Sequence, residues 1–347
     1  MGEDTETPAA EEEEEEMPDS EEDVESIETP TEDARRFNIK GLLINIRMFR
    51  RIVQVLFILF INAYIFGAWF GQEQITAFWT EFAKILPTLP IIAPLEAPLA
   101  VIAGSFDTLN RELTSGFFPF FTLGAMVIIL TILGRVGCGW VCPVGTFQDF
   151  ATLPKRNKSR PAPGTEKELR RVKLYIFVIT MFMSAWVAVS TVLGTDESIR
   201  NALGIFADSG FNPLNPAYII FYEFLQWNWP FSIDTLWYFS TWGTVFWLQI
   251  VFVALVLAIS YWYPRWFCRW LCPAGWLYGF FSRDALVGIG RNPARCTPDT
   301  CSKCEEVCPM NIRIRRFPYQ HMYSPDCIMC LDCKSHCPNG AIEIRFS

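Results

Sequence analysis

Histidine is scarce in this 347-residue chain, and its two copies, His321 and His336, both fall near the C-terminus. A haem held by two histidines within a membrane is therefore excluded. No glycine-rich loop stands between a strand pattern and a helix pattern, so a built-in NAD or flavin site is not expected. No tract rich in Met or His is present to collect copper. Residues 1–33 contain no Lys or Arg, and no basic leader runs directly into an apolar stretch there. A secretory signal needs both, so the N-terminus is expected to stay in the cytoplasm.

What those first 33 residues do contain is seventeen Asp or Glu, including six consecutive glutamates at Glu11–Glu16. Such a run cannot bury enough apolar surface to offset the entropy of ordering, and it reads as a solvated acidic tail. The chain's net charge of -8 hides this asymmetry, because the rest holds 29 basic against 20 acidic residues, a net +9. The hydrophobic share of 51% and the mean hydropathy of +0.22 point to a membrane class.

Four stretches are long and apolar enough for a hydrocarbon layer, which takes roughly 20 helical residues. They are Ile52–Phe70, Phe117–Leu133, Val172–Leu193 and Thr244–Tyr261. A fifth, Ile85–Ala103, carries Pro87, Pro90, Pro94, Pro98 and Glu96. Its prolines remove backbone donors, and an interfacial or re-entrant segment is expected there. Basic residues gather before the first span and between residues 135 and 173, where nine face three acidic ones. These segments belong on the cytoplasmic side, giving a multi-pass protein of the cell membrane with both termini cytoplasmic. Trp79, Trp227, Trp229, Trp237 and Trp242 fall in the two outward connections and read as interfacial anchors.

All twelve cysteines lie in four compact groups with metal-ligand spacing. A shift of 130 residues superposes Arg135-Val-Gly-Cys138-Gly-Trp140-Val-Cys142-Pro143-Val-Gly145 on Arg265-Trp-Phe-Cys268-Arg-Trp270-Leu-Cys272-Pro273-Ala-Gly275. Each copy follows a pair of spans, which predicts two pseudo-symmetric two-helix halves. Cysteines at i and i+4 share a helical face, and the following Pro-x-Gly redirects the helix. Two such faces would present Cys138, Cys142, Cys268 and Cys272 as one metal or redox site. A third iron–sulfur centre, copper and a reactive dithiol all remain open there.

The strongest signal is Cys296-x4-Cys301-x2-Cys304-x3-Cys308-Pro309, followed by Cys327-x2-Cys330-x2-Cys333-x3-Cys337-Pro338. In two-cluster ferredoxins the last cysteine of each run ligates the other cluster. Cys296, Cys301, Cys304 and Cys337 are thus assigned to one 4Fe-4S cluster, and Cys327, Cys330, Cys333 and Cys308 to the other. The first run has four residues after Cys296 where two are usual, so either the loop bulges around Thr297-Pro298-Asp299 or Cys296 does something else. Ile312, Ile314, Ile342 and Ile344 could form only a small core, so the clusters are expected to be needed for folding.

The fold class expected is a membrane all-α domain of four transmembrane helices in two pseudo-symmetric halves, with a small α+β two-cluster ferredoxin-like domain. Its divisions are an acidic tail at 1–36, the membrane domain at 37–290 and the ferredoxin-like domain at 291–347. The two repeated Cys-x3-Cys-Pro motifs and the C-terminal ferredoxin together resemble the NapH, NosR and CcoG group of membrane polyferredoxins over residues 40–347. NapH is the nearest architecture, since the sequence includes neither a flavin-binding domain of NosR type nor a further domain of CcoG type after the ferredoxin. The resemblance implies a respiratory electron-transfer subunit linked to quinol rather than a stand-alone enzyme. Copper reduction or metallocofactor assembly for a respiratory enzyme is the alternative it carries. Expected partners are membrane lipid, a redox partner protein or complex and a bound quinone; nucleic acid is not among them.

Overall fold

The structure is a computed structural model that describes residues 46–61, 71, 73–74, 77, 81, 88–93, 103–154, 159–207, 209–223, 244–298 and 300–346. The acidic tail and the outward tryptophans lie outside the described residues, as does Asp299. Most of the described chain is helical, and it carries a ferredoxin-type module at its C-terminal end.

The helices that frame the site are α1 (Ile46–Ile61), α2 (Ser105–Thr114), α3 (Phe120–Leu133), α4 (Val136–Trp140), α5 (Pro143–Ala151), α6 (Pro163–Val192), α7 (Thr244–Trp262) and α8 (Pro273–Phe281). Helix α6 begins with a proline in its first turn, where no backbone donor is required, and places Glu166 near the positive end of the helix dipole. It ends where Gly194 takes a positive φ of 72°, which glycine reaches without a Cβ clash.

Within α6, Gly164–Val192 is, among the described residues, the one helix long and apolar enough to cross a membrane. Of the expected four spans, the described residues show one full-length helix and two shorter apolar ones, Phe120–Leu133 and Trp247–Trp262. For α3 the reason is length: 14 residues at about 1.5 Å each fall short of a hydrocarbon layer of about 30 Å. The first expected span, Ile52–Phe70, is helical up to Ile61, and residues 62–70 lie outside the described residues.

Part of the proline-rich stretch is described. Thr88–Ala93 is not helical: Thr88 and Leu89 form β1, pairing in parallel with β2 (Ala103–Gly104). Ile91, Ile92 and Ala93 are fully or almost fully buried. Extended backbone at this depth needs protein partners for its polar groups. It finds them in the Tyr278 hydroxyl, which donates to the Ile91 carbonyl at 3.0 Å and accepts from the Phe106 amide at 3.0 Å.

In the ferredoxin module, β3 (Val287–Arg291) pairs antiparallel with β4 (Ile342–Phe346), with Ile289 opposite Ile344. Its core gathers Ile289, Met310, Ile312, Ile314, Met322, Ile328 and Ile342. Ile344 is not part of it: it shares a face with Ile342 and lies opposite Ile289, yet towards the end of β4 it is 39% exposed.

The module is welded to the helices rather than tethered. Gly139, between Cys138 and Trp140, sits against the backbone of Ile328, and a Cβ built there would penetrate the Ile328 carbonyl. Gly139→Ala must therefore push the ferredoxin loop off the helical domain, costing about 1–3 kcal/mol of stability. A lowered unfolding midpoint with faster proteolytic release of the C-terminal module is the expected result, and an unchanged midpoint would show that the loop yields freely.

Candidate metal centre

Cys138 lies in α4, whereas Cys142 lies just beyond it, at the N-cap of α5 with extended backbone (φ −61°, ψ 120°). The second copy repeats this: Cys268 sits in a π-helical turn at Phe267–Leu271, and Cys272 is the N-cap of α8 (φ −66°, ψ 110°). The two cysteines of a pair thus do not share one continuous helix. The proline that follows each pair starts a new helix at its first position, which is how the Pro-x-Gly segment redirects the chain.

The two copies meet, and their four thiols come into one buried region. Cys142 feels the charge of Cys268 and Cys138, and Cys272 that of Cys268, Cys138 and Cys142. Each copy's glycine makes room for the other copy's arginine. A Cβ on Gly145 would stand 3.2 Å from Arg265 Nη1, and one on Gly275 would stand 3.1 Å from Arg135 Nη2. Both arginines are buried, at 1% and 0% exposure, so they are not lipid-facing topology charges. Arg265 donates to the Cys138 carbonyl at 2.8 Å.

Hydrogen-bond donors reach the sulfurs themselves. Gln148 Nε2 donates to Cys268 Sγ at 3.1 Å, and the Gly275 amide donates to Cys272 Sγ at 3.2 Å. Burial, with Cys268 and Cys138 adding, pushes the Cys142 thiol up to about 12. A reactive dithiol requires the opposite shift, toward the thiolate. Thiols this costly to ionise become good ligands only when a metal centre's positive charge offsets the burial, which fits a bound cluster better than dithiol chemistry.

In the tail, Cys296, Cys301, Cys304 and Cys337 line one cavity together with Arg291, Arg295 and Arg315. Cys296 thus faces the same cavity as the other three. Three cations around four thiols suit a group of net negative charge. Arg291 Nη1 stands 3.7 Å from Cys296 Sγ, and the Ala341 amide donates to Cys337 Sγ at 3.2 Å. Cys308 interacts electrostatically with Cys327, Cys330 and Cys333. Both quartets pair three cysteines of one run with the last of the other. Among the described residues no three His, Cys, Asp or Glu converge at the spacing of a single metal ion.

The sequence reading missed the carboxylates that hold these loops. Asp149 accepts from Arg265 Nε at 2.8 Å and Nη2 at 2.7 Å, and it lies 3.8 Å from Arg50 and 3.4 Å from Arg51. Glu166 pairs with Arg269 and accepts from Arg170 at 2.9 Å. These are two of the three acidic residues in the otherwise basic loop, a signal that was present in the sequence. Asp326, next to Cys327, pairs with Lys173 at 2.5 Å and Arg170 at 2.6 Å, and Asp332, next to Cys333, pairs with Arg50 at 3.1 Å. Arg50 also donates to the Cys330 carbonyl, and Trp140 Nε1 to the Met329 carbonyl at 2.8 Å. The loop holding Cys327, Cys330 and Cys333 is thereby clamped directly onto the first copy of the repeated cysteine motif.

Burial opposes the charge of Asp326, yet Lys173, Arg170 and Arg135 outweigh it and hold the carboxyl well below the usual range; Arg265, Arg50 and Arg51 do the same for buried Asp149. Folded-state pKa values lie below unfolded ones, so this stability is present above about pH 4 and is lost as pH falls toward the folded values. Helicity followed from pH 7 downward should show an acid transition. Asp326→Asn should start less stable at pH 7 and lose less on acidification; an equal loss would place the acid sensitivity elsewhere.

Residues 115–161 and 244–292, the two segments that contain the repeated cysteine motifs, each match the 4Fe-4S binding domain family. The chain is 25% identical to an uncharacterised protein of Methanocaldococcus jannaschii over 65% of this chain and 78% of that one. YccM of Escherichia coli (strain K12), whose name places it provisionally in electron transport, is 23% identical over 87% of this chain and 76% of its own. The ferredoxin-type protein NapH of Haemophilus influenzae is 25% identical over 83% of this chain and 85% of its own. No solved structure matches.

The fold, the thiol groupings and these matches define an iron–sulfur protein of the ferredoxin type, with relatives in electron transport. The family match and the two named relatives support a NapH-like polyferredoxin.

Proposed function

We propose that the chain is a membrane-bound relay for single electrons, passing them between a cytoplasmic donor or the quinone pool and a partner oxidoreductase. The observation that carries this reading is the contiguity of the three thiol quartets. Cys304 acts on Cys333 within the ferredoxin module, and Arg265 feels both Cys330 of that module and Cys268 of the helical repeat. In this reading Cys296, Cys301, Cys304 and Cys337 hold one 4Fe-4S cluster, Cys308, Cys327, Cys330 and Cys333 hold a second, and Cys138, Cys142, Cys268 and Cys272 hold a third centre.

When bound, such clusters take up and release single electrons without breaking covalent bonds. The chain's own residues keep the geometry fixed. The Gln148 side chain and the Gly275 amide donate to sulfur, the buried arginines offset negative charge, and Ile91, Ile92 and Ala93 shield the thiols from solvent. Four membrane crossings with both termini cytoplasmic are part of the proposal, supported by α6, the two shorter apolar helices and the basic loops.

An anaerobic redox titration of the full chain in lipid discs, read by EPR, tests it. Interacting cluster signals that are abolished on adding a quinone are expected. Signals that dithionite raises but quinone leaves untouched would remove the quinone pool from the path.

A further inference from the structure

A second basic feature lies where the first turns of α6 and the segment before it meet the ferredoxin module. It is an open cleft of about 750 Å3 lined by Arg160, Lys167, Arg170, Arg313, Arg315 and Arg316, with Glu166 and Glu305 as its acidic residues. Three of the cations are fixed. Arg170 is held by Glu166 and Asp326, Arg315 by Glu305 and the Pro298 carbonyl, and Arg160 by the backbone carbonyls of Glu305 and Glu306. The other three, Lys167, Arg313 and Arg316, are exposed and make no ion pair among the described residues. Fixed charge below and free charge at the rim is an arrangement that attracts an anionic surface and steers it into register.

The cleft also borders both ferredoxin thiol quartets. Arg315 lies within electrostatic range of Cys304 and Cys301, and Arg170 within range of Cys308. A lipid headgroup would need an apolar wall for its acyl chains. The apolar lining is only Pro161, Ile312 and Phe317, of which Ile312 is buried. The cleft therefore suits a water-soluble partner.

We propose that this cleft is the docking site of an acidic, soluble one-electron carrier protein, of iron–sulfur or flavin type, which exchanges electrons with the chain there. The inference rests on the relay reading above and gives it a partner and an entry point. One electron leaves the reduced carrier and is accepted on the ferredoxin side of the chain; no atom is transferred and no proton is required.

The test uses the full chain with its clusters, in discs of neutral lipid, and an acidic two-iron ferredoxin as the probe. Binding is measured at low and at high salt for the wild type, for the variant Lys167→Glu, Arg313→Glu, Arg316→Glu, and for the corresponding triple alanine variant. None of the three residues is a cysteine neighbour or an ion-pair partner among the described residues, so equal iron content and unfolding midpoints are expected. The charge-reversed variant should bind the ferredoxin at least about tenfold more weakly and lose its salt dependence, with the alanine variant between.

Equal affinity in wild type and charge-reversed variant, or wild-type binding indifferent to salt, overturns the proposal. So does unchanged ferredoxin affinity in a variant that has lost binding to anionic vesicles, which would assign the cleft to headgroups. Reduction by a small neutral reductant separates the two readings. If it reduces the clusters while ferredoxin binding ignores the three cations, the docking site fails and the relay stands. If ferredoxin binds as expected but no reductant transfers electrons, the relay fails and electron exchange at the cleft with it, and only binding of an acidic protein there stands.

Discussion

Changing Cys138, Cys142, Cys268 and Cys272 together to Ser should lower the iron content of the anaerobically purified chain from about twelve to about eight per molecule, with acid-labile sulfide falling in step. The eight that remain belong to the ferredoxin module, whose two quartets share no ligand with the repeat. A second variant sharpens the result. Cys337→Ser should disturb the cluster that also uses Cys296, Cys301 and Cys304, and leave the one served by its own run, because Cys337 lines the cavity of the first three. About eight irons in both the wild type and the fourfold variant would restrict the clusters to the module and leave the thiols of the repeat to copper or another metal. Loss of all iron in the fourfold variant would mean that the module cannot form without the repeat, and the Gly139 and Trp140 contacts would then be the place to look.

The second large effect concerns the buried charges. Arg265→Ala removes a fully buried guanidinium and leaves Asp149, 6% exposed, with only the more distant Arg50 and Arg51 to pair with it. Breaking a buried pair from one side costs about 3–5 kcal/mol, because an uncompensated charge is left behind. Asp149→Ala should cost at least as much as Arg265→Ala, since it leaves fully buried Arg265 without a carboxylate, while Arg50 keeps Asp332 and Arg51 is partly exposed. The double replacement Arg265→Met with Asp149→Leu should recover much of the loss, as apolar pairs of similar volume often do. Denaturant midpoints of the three variants read this directly. Single-variant losses below about 1 kcal/mol would show that water reaches the pair and that the loops are held by their backbone contacts instead.

Much of the site was legible because ligand chemistry is local. The runs beginning at Cys296 and Cys327 fix loop conformations over a few residues, and the swap of last cysteines follows from the way such loops face each other. The repeat at Cys138 and Cys268 was equally readable, since identical residue types 130 positions apart mark one supersecondary unit used twice. The helical boundaries within it were not. A π-helical turn at Phe267–Leu271 and an N-cap cysteine leave no distinct trace in a spacing of i and i+4. The four-span count rested on hydropathy, which measures composition over a window. Helix α3 is shorter than its window because Phe117–Pro119 precede it as non-helical chain, whereas α7 spans its whole window.

By itself the sequence determined which atoms can bind metal, in which groups, and that the chain has an apolar helical part and a small cysteine-rich part. It did so because thiolate spacing and hydropathy act within a few turns of chain. The tertiary structure decided that the quartets stand next to one another, that Arg50, Arg135 and Arg265 are buried rather than facing lipid, and that Asp149, Glu166, Asp326 and Asp332 hold the parts together. Those partners lie between about one hundred and nearly three hundred residues apart in the chain. Only packing brings such distant residues together, and a buried charge shows no sign of its burial until its partner is in place.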